Sequence, residues 1–431
     1  MNKRLLMICY YFPPLKDVGC KRSVAFSKYM RKYSWEPIVL TVKNPDRTYC
    51  SVGYETGPSG IRVEYSRSIA NVYKFFGKAN GLVHRIANLF GAKLHRNYFL
   101  ELFCIPDVFW GWIPLTAFRA KKLAEKYDVD AIYVSCSPWS SAIIGILVRK
   151  FTNKPLIIDF RDPYGLDIPW LTYALPVLRL RKTIDKWLME NVLNNTDLFV
   201  VTTEETRDLY CEQYPQVKEK ICIIHNGFDT EFMSTSPQPV KFSKFTVIYT
   251  GEFYFYALKS EAFFEAISHL KRNGNINKEN FQFLFYGEGK DRIERLARKY
   301  GIEDVVNANK RIPYTDVLDE LRKSHLQLLR IVKPMISTKL FEGIPLNVPF
   351  LATIPHGEVE EIIKTYSPSS YIVTEDSPPQ IADAILDAIR KYENNEIKPN
   401  RVSEFLERFS REKLTLKLKT EIEKVLNRKK K

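Results

Sequence analysis

One pattern constrains this chain more than any other: short apolar runs of strand length alternate with amphipathic stretches of helical period. The runs RLLMICY, EPIVLTV, AIYVSCS, PLIIDFR and LFVVTT are continuous apolar segments. Between several of them lie helical patterns such as CKRSVAFSKYMRKY and SSAIIGILVRKF. Strands apolar on both faces and separated by helices predict a parallel sheet covered on both sides. The alternation restarts after the polar stretch STSPQPVKFSK, residues 234–244, with FTVIYTG, FQFLFYG, LQLLRIV and PFLATI as strands. SEAFFEAISHLKR, KDRIERLARKYG and TDVLDELRKSH are their helices. The pattern predicts an α/β chain of two Rossmann-like, doubly wound domains, over residues 1–230 and 240–400. A chain of 431 residues has room for two or three domains.

Two segments fall outside the alternation. Residues 65–115 are rich in aromatic and basic side chains and read as a helical insertion in the first domain. Lys74, Lys78, Arg85, Lys93 and Arg96 punctuate its apolar residues. A basic amphipathic helix of this kind suits an anionic membrane surface, or packs on its own domain. Residues 401–431 have helical periodicity, with Phe405, Leu406, Phe409, Leu414, Leu416, Leu418, Ile422 and Val425 as the expected buried face.

The formal net charge is +15, and it is uneven. Residues 1–100 carry a net +12, residues 101–400 a net −3, and residues 401–431 a net +6. Such a surplus attracts phosphates, whether of nucleic acid, anionic lipid or a nucleotide. Nothing in the chain reads as a zinc finger, a helix-turn-helix signature or an RNA-binding sheet motif, which leaves a nucleic-acid-binding protein as the remote reading.

Seven scattered cysteines without a Cys-x-x-Cys pair fit a reduced, cytoplasmic setting better than a disulfide framework. The opening MNKRLLMICYYFPPLKD lacks the length and cleavage site of a secretory signal and reads as a buried strand. No run approaches 18 apolar residues, so no transmembrane helix is expected. The six histidines form no metal-binding spacing, and no metal cofactor is expected. Asp128 and Asp130 resemble the Asp-x-Asp metal signature of nucleotide-sugar enzymes, but they sit just before a buried strand and read as an acidic turn.

In a doubly wound domain, ligands bind beyond the carboxyl ends of the strands. The first strand is followed by YYFPP and then Gly19, Cys20, Lys21 and Arg22 opening a helix. Gly19 lets the backbone approach a ligand closely. Residues 159–163 read DFRDP, which leaves Arg161 and Asp162 at the mouth of the sheet, as a site or as a structural ion pair. HNGFD at 225–229 is a turn leading to the second domain. There, Gly251 ends a strand, Lys259 follows it, and Gly287 and Gly289 end the next. Ser337 or Thr338 caps a short helix whose first N–H groups suit a diphosphate. Glu342 in that helix accepts hydrogen bonds from sugar hydroxyls or compensates the helix dipole.

The ordered series YYFPP…G.KR, DFRDP, HNGFD, YTG…K, FYGEG and STKLFEGIPLNVPFLA resembles the GT-B glycosyltransferases of the large retaining family 4. The resemblance spans nearly the whole chain and implies two domains facing a central cleft. It implies that Glu342 binds the ribose of a nucleotide, and that the amides around Thr338, Lys339 and Leu340 hold the diphosphate. It implies that Gly19, Gly251 and Gly287 border that nucleotide and that Lys259 neutralises the leaving phosphate. Arg161 and Asp162 would face the acceptor and the reacting sugar, and the terminal helix would cross back to the first domain. The chain departs from the pattern at three places: Pro334 replaces a first glutamate, Cys20 a second glycine, and Ser137-Pro138 a histidine.

The expected activity is therefore transfer of a sugar, from a UDP- or GDP-linked donor and without a metal, to a hydroxyl of a lipid-linked or oligosaccharide acceptor. Capsule and lipopolysaccharide synthesis are the settings the resemblance implies, with the enzyme cytoplasmic or peripheral on the inner membrane face. A nucleotide-sugar epimerase or hydrolase on the same fold is the alternative. The basic residues of 65–115 and of the terminal helix are expected on one membrane-facing side.

Overall fold

The computed structural model describes residues 2–15, 17–45, 57–69, 72–89, 103–167, 176–233, 239–253, 261–331 and 336–430. The chain divides into two compact units, Met1–His225 with Leu414–Lys431, and Asn226–Lys413. The first holds β1 (Lys3–Cys9), β2 (Trp35–Val42), β3 (Arg62–Ser66), β4 (Ala131–Cys136), β5 (Leu156–Phe160), β6 (Leu198–Val201) and β7 (Ile221–Ile223). They form one sheet in the order β3-β2-β1-β4-β5-β6-β7. The second holds β8 (Phe245–Thr250), β9 (Phe281–Tyr286), β10 (Val306–Asn309), β11 (Leu326–Arg330), β12 (Phe350–Thr353) and β13 (Tyr371–Val373), in the order β10-β9-β8-β11-β12-β13. Neighbouring strands are parallel in both sheets. The expected α/β class with two doubly wound sheets is what the chain forms.

Period-two alternation decides which helices cover each face of the first sheet. Leu6, Ile8, Ile132 and Val134 point to one side, where they meet Ala120 and Leu123 of helix Ile113–Lys126 and Ile144 and Val148 of helix Ser140–Thr152. Leu5, Met7, Ala131 and Tyr133 point to the other, under Phe26 and Met30 of helix Cys20–Met30. The terminal helix Arg411–Lys430 covers that same side through Leu414, Leu418, Ile422 and Val425, spaced as one helical stripe. Lys3 pairs with Glu423 at 3.0 Å and Lys429 with Asp197 at 2.9 Å.

The stretch 401–431 is two helices, not one. Ser410 is extended and bridges to Phe228. The Phe228 amide donates to the Phe409 carbonyl at 3.1 Å, and the Arg411 amide donates to the Phe228 carbonyl at 2.9 Å. A backbone amide bound outside the helix cannot continue the helical ladder. Helix Val402–Phe409 thus stays with the second unit, where Phe405 and Phe409 pack on Phe341 and Tyr366. Leu416, expected in the buried face, is exposed, because it lies off the Leu414–Leu418–Ile422 stripe.

The insertion expected over 65–115 begins later than that. Residues 65 and 66 belong to β3, the edge strand paired to β2, and helix Val72–Leu89 follows. The chain returns through a single turn at Trp110–Trp112 into helix Ile113–Lys126. Among the described residues, no helix is long and apolar enough to cross a membrane.

Candidate active site

Each sheet has a point where its strand order reverses, between β1 and β4 in the first and between β8 and β11 in the second. Loops leaving neighbouring strands there diverge to opposite faces and open a crevice at the carboxyl edge. Candidate side chains gather at both edges.

In the second unit, β8 is followed directly by Gly251 and β9 by Gly287, and the two backbones touch. Gly251 has φ +92°, a left-handed conformation that favours glycine. A Cβ on Gly287 would overlap the Gly251 carbonyl. Lys339, from helix Thr338–Gly343, brings its Nζ to 3.6 Å from where a Cβ on Gly251 would stand and to 4.9 Å from the Tyr249 ring centroid. Burial pulls its pKa down to about 8, against the opposing pull of Glu342 and Glu252. Arg330, the last residue of β11, is buried, lies 4.6 Å over the Phe253 ring and faces Asp376 at 3.7 Å. Burial lowers its pKa as well, while Asp376 and Tyr249 oppose the shift.

Glu342 is buried one turn beyond Lys339. It shares a hydrogen bond with the hydroxyl of Tyr314, the first residue of helix Tyr314–Lys323. Burial and then Glu342 raise the Tyr314 pKa, so Tyr314 stays a donor at neutral pH. Ser337 caps the short helix: the Lys339 amide donates to its Oγ at 3.3 Å, and the Leu340 amide to its carbonyl at 3.2 Å. Two of the three amides expected to hold a diphosphate thus already have an acceptor.

In the first unit, Gly19 and Arg161 meet. A Cβ on Gly19 would overlap the Arg161 guanidinium, which lies 5.3 Å from the Tyr11 ring centroid. Arg161 donates to the carbonyls of Ser137 at 2.6 Å and Cys136 at 3.4 Å, beyond β4. Asp17 accepts the Gly19 amide at 2.7 Å. Asp162 is exposed and does not pair with Arg161. Beneath them, wholly buried Asp159 takes both arms of Arg22, at 2.7 and 3.0 Å, and the Tyr133 hydroxyl. Arg22 also donates to the His225 carbonyl at 2.7 Å.

Of the other expected residues, Lys78 and Arg85 are exposed on helix Val72–Leu89. Lys74 is on that helix, with its side chain outside the described residues, and Lys93, Arg96, Pro334 and Lys259 lie outside them altogether. Asp128 pairs with Lys154 at 2.9 Å and Asp130 accepts the Arg4 amide at 2.7 Å, both at the amino end of β4, away from the carboxyl edge. Among the described residues, no three His, Cys, Asp or Glu side chains converge as a metal site requires.

Arg22 and Asp159 belong to the motifs G.KR and DFRDP but carry no role in the sequence reading, and Arg330 and Tyr314 are not singled out there. A signal existed for Asp159 and Arg330: each is charged within or at the end of an otherwise apolar strand, and a buried charge needs a partner. Tyr314 carried no such mark.

Residues 66–232 match the family model described as Glycosyltransferase Family 4, and residues 238–407 match Glycosyl transferases group 1. Among solved structures, the chain is similar to a glycosyltransferase from Rickettsia africae ESF-5, at 14% identity and TM-score 0.62 over 99% of each chain. It is similar to HepE from Anabaena in complex with UDP and glucose, at 12% identity and TM-score 0.65 over 98% of this chain and 100% of that one. It is also similar to the lipopolysaccharide outer core galactosyltransferase WaaB, at 10% identity and TM-score 0.57 over 97% and 99%. At these identities the likeness is one of fold. No protein of curated function matches the sequence.

Proposed function

We propose, from the premise that the chain belongs to the family 4-like glycosyltransferases of GT-B fold, that it is a retaining enzyme of cell-surface polysaccharide synthesis. It moves a sugar from a UDP- or GDP-linked donor to a hydroxyl of a lipid-linked or oligosaccharide acceptor. The observation that carries the donor side is the pair of cations, Arg330 and Lys339, at the β8–β11 switch point beside the touching glycines Gly251 and Gly287. Cations drawn out of water favour a multiply charged anion, and a nucleotide diphosphate supplies one. Glu342 takes the ribose hydroxyls, with the Tyr314 hydroxyl orienting its carboxylate. The HepE complex with UDP and glucose supports a nucleotide-sugar donor by analogy of fold.

Negative charge grows on the departing diphosphate as the bond to the sugar breaks. Preorganised donors at that position contribute about 3 kcal/mol each to the barrier reduction. Lys339 and Arg330 are placed for this, Thr338 adds an amide, and Lys259 is assigned the same task. Gly19 gives the first unit a close backbone approach, and Arg161 and Asp162 serve the acceptor side. The likeness to WaaB supports a saccharide acceptor, again by fold.

Replacing Glu342 with alanine is expected to weaken nucleotide binding at least tenfold, or about 1.4 kcal/mol. Thermal shift with UDP and GDP measures it, and unchanged affinity would overturn the donor assignment. Product analysis with UDP- and GDP-sugars tests the reaction. Free nucleotide with a new glycosidic bond supports transfer, and an isomerised nucleotide sugar identifies an epimerase instead.

A further inference from the structure

Helix Ser140–Thr152 follows β4, yet the residue before it, Trp139, gives it no side-chain cap. A helix start leaves backbone N–H groups without partners, and a local Ser, Thr, Asp or Asn usually accepts from one of them. Here the cap comes from a distant segment. Asp107, on the stretch that leads into helix Ile113–Lys126, accepts the Ser140 amide at 2.9 Å and the Ser140 hydroxyl at 2.6 Å. It also accepts the Phe109 amide at 2.9 Å, which folds its own loop around the carboxylate. Burial raises the Asp107 pKa, against the hydrogen bonds from Ser140 and Phe109 that pull it down. A local cap would spare the chain that desolvation, so the distant carboxylate needs another reason.

The loop that carries Asp107 is clamped a second time. Arg181, on helix Pro176–Asn194, donates to the carbonyls of Cys104 at 3.2 Å and Pro106 at 2.7 Å. It pairs with Asp185 at 2.7 Å, and Asp185 also accepts the Tyr164 hydroxyl at 2.6 Å. The Tyr164 ring stacks on Trp139 with 4.7 Å between centroids. Contacts thus run in a closed circuit, from Asp107 to Ser140 and Trp139, through Tyr164, Asp185 and Arg181, and back to Pro106. A circuit of packed and charge-assisted contacts leaves the segments it joins few ways to move. What it holds is the turn leaving β4, residues 136–139, and that turn seats Arg161. The guanidinium rests on the Ser137 carbonyl at 2.6 Å and the Cys136 carbonyl at 3.4 Å, and the Arg161 amide donates to the Cys136 carbonyl at 2.9 Å.

We propose that Asp107 is a positioning residue for the acceptor side: it fixes the turn leaving β4 and, through the Cys136 and Ser137 carbonyls, sets the place and direction of the Arg161 guanidinium. This rests on the acceptor role given to Arg161 above. Asp107 itself touches no substrate. It lets the loop that returns from the insertion govern a charged group at the switch point of the first sheet.

Phenylglyoxal modifies arginines whose guanidinium is free, so Arg161 can be probed in the full chain without a sugar acceptor, with mass spectrometry locating the modified residues. Arg161 is expected to react several-fold faster in Asp107→Ala than in the parent protein, while Arg22, held by Asp159, stays protected in both. Ser140→Ala, which removes one of the three bonds to the carboxylate, should give a smaller gain, and it carries the test if Asp107→Ala does not fold. Arg161 equally reactive in all three proteins overturns the proposal. Kinetics on the donor and acceptor found by product analysis give a second reading. Asp107→Ala should lower kcat over the acceptor KM about 10–100-fold, the cost of a displaced group. The donor KM and the nucleotide thermal shift should stay as in the parent protein. Asp107→Asn, which keeps one oxygen for Ser140, should recover part of the loss. In an Arg161→Ala background the loss of Asp107 should cost little more, because a residue acting through another adds nothing once that one is gone. Losses that multiply instead make Asp107 a helix cap only and overturn the proposal. Transfer unharmed by Arg161→Ala overturns the acceptor reading and this proposal with it. Transfer lost there and unharmed by Asp107→Ala overturns this proposal alone.

Discussion

Replacing Arg22 with methionine is expected to destabilise the first unit by about 3–5 kcal/mol, the cost of leaving one member of a buried ion pair alone. Asp159 is wholly inaccessible, and Arg22 is nearly so. Both arms of the guanidinium are on the carboxylate, at 2.7 and 3.0 Å, and its remaining nitrogen holds the His225 carbonyl. Methionine fills much of the space but leaves Asp159 with only the Tyr133 hydroxyl among these partners. The double replacement Arg22→Met with Asp159→Leu should recover a large part of the loss, because it removes the stranded charge. Urea unfolding, followed by a probe in the first unit, measures both. A single variant within about 1 kcal/mol of the parent would show that the pair is not what holds this edge together. The effect reaches the site, since Arg22 is one turn beyond Gly19 and Asp159 two residues before Arg161.

Lys339→Met is expected to lower kcat by about 10²–10³, equivalent to about 2.7–4 kcal/mol of transition-state stabilisation. Nucleotide binding should fall less, because charge on the diphosphate grows as the bond breaks. Folding stability should hold or rise, since a costly ammonium leaves a partly buried position. The pH profile gives an independent reading. The protonated amine is the useful form and its pKa lies at about 8, so kcat/KM should fall as pH rises through about 8. The sign for stability is opposite. A lysine whose folded pKa is below its unfolded value of about 10.4 binds fewer protons when folded, so its contribution to stability increases between those two pH values. Loss of activity above pH 8 therefore cannot come from unfolding driven by Lys339. In Lys339→Met that alkaline limb should vanish, and a limb unchanged in the variant would remove Lys339 from this role.

Some of the site was legible in the residue string. Gly251, Gly287 and Glu342 stood out because glycine after a buried strand and a carboxylate in a short helix that follows one are local signals. Gly19 and Arg161 could be placed at the same sheet edge, but their contact could not be foreseen, since 141 intervening residues pass through four other strands. Arg161 and Asp162 read as a pair because they are adjacent. In a strand exit, adjacent side chains diverge, and Arg161 instead reaches across to the carbonyls beyond β4. Lys339 entered the reading for its amide, yet its side chain is the notable group, because only packing against Tyr249 and Gly251 makes an ordinary surface lysine into a desolvated cation.

The sequence by itself determined the class of fold. Period-two and period-3.6 apolar patterns are local, and each repetition of strand and helix leaves a parallel doubly wound sheet as the economical way to bury both faces. Only the tertiary structure decided which charges are buried and with whom. It paired Arg22 with Asp159, seated Arg330 over Phe253, joined Tyr314 to Glu342, and broke the terminal stretch at Ser410. Those outcomes rest on desolvation and on hydrogen bonds between segments far apart in the chain. Their energies depend on the whole surrounding shape, and no window of sequence contains it.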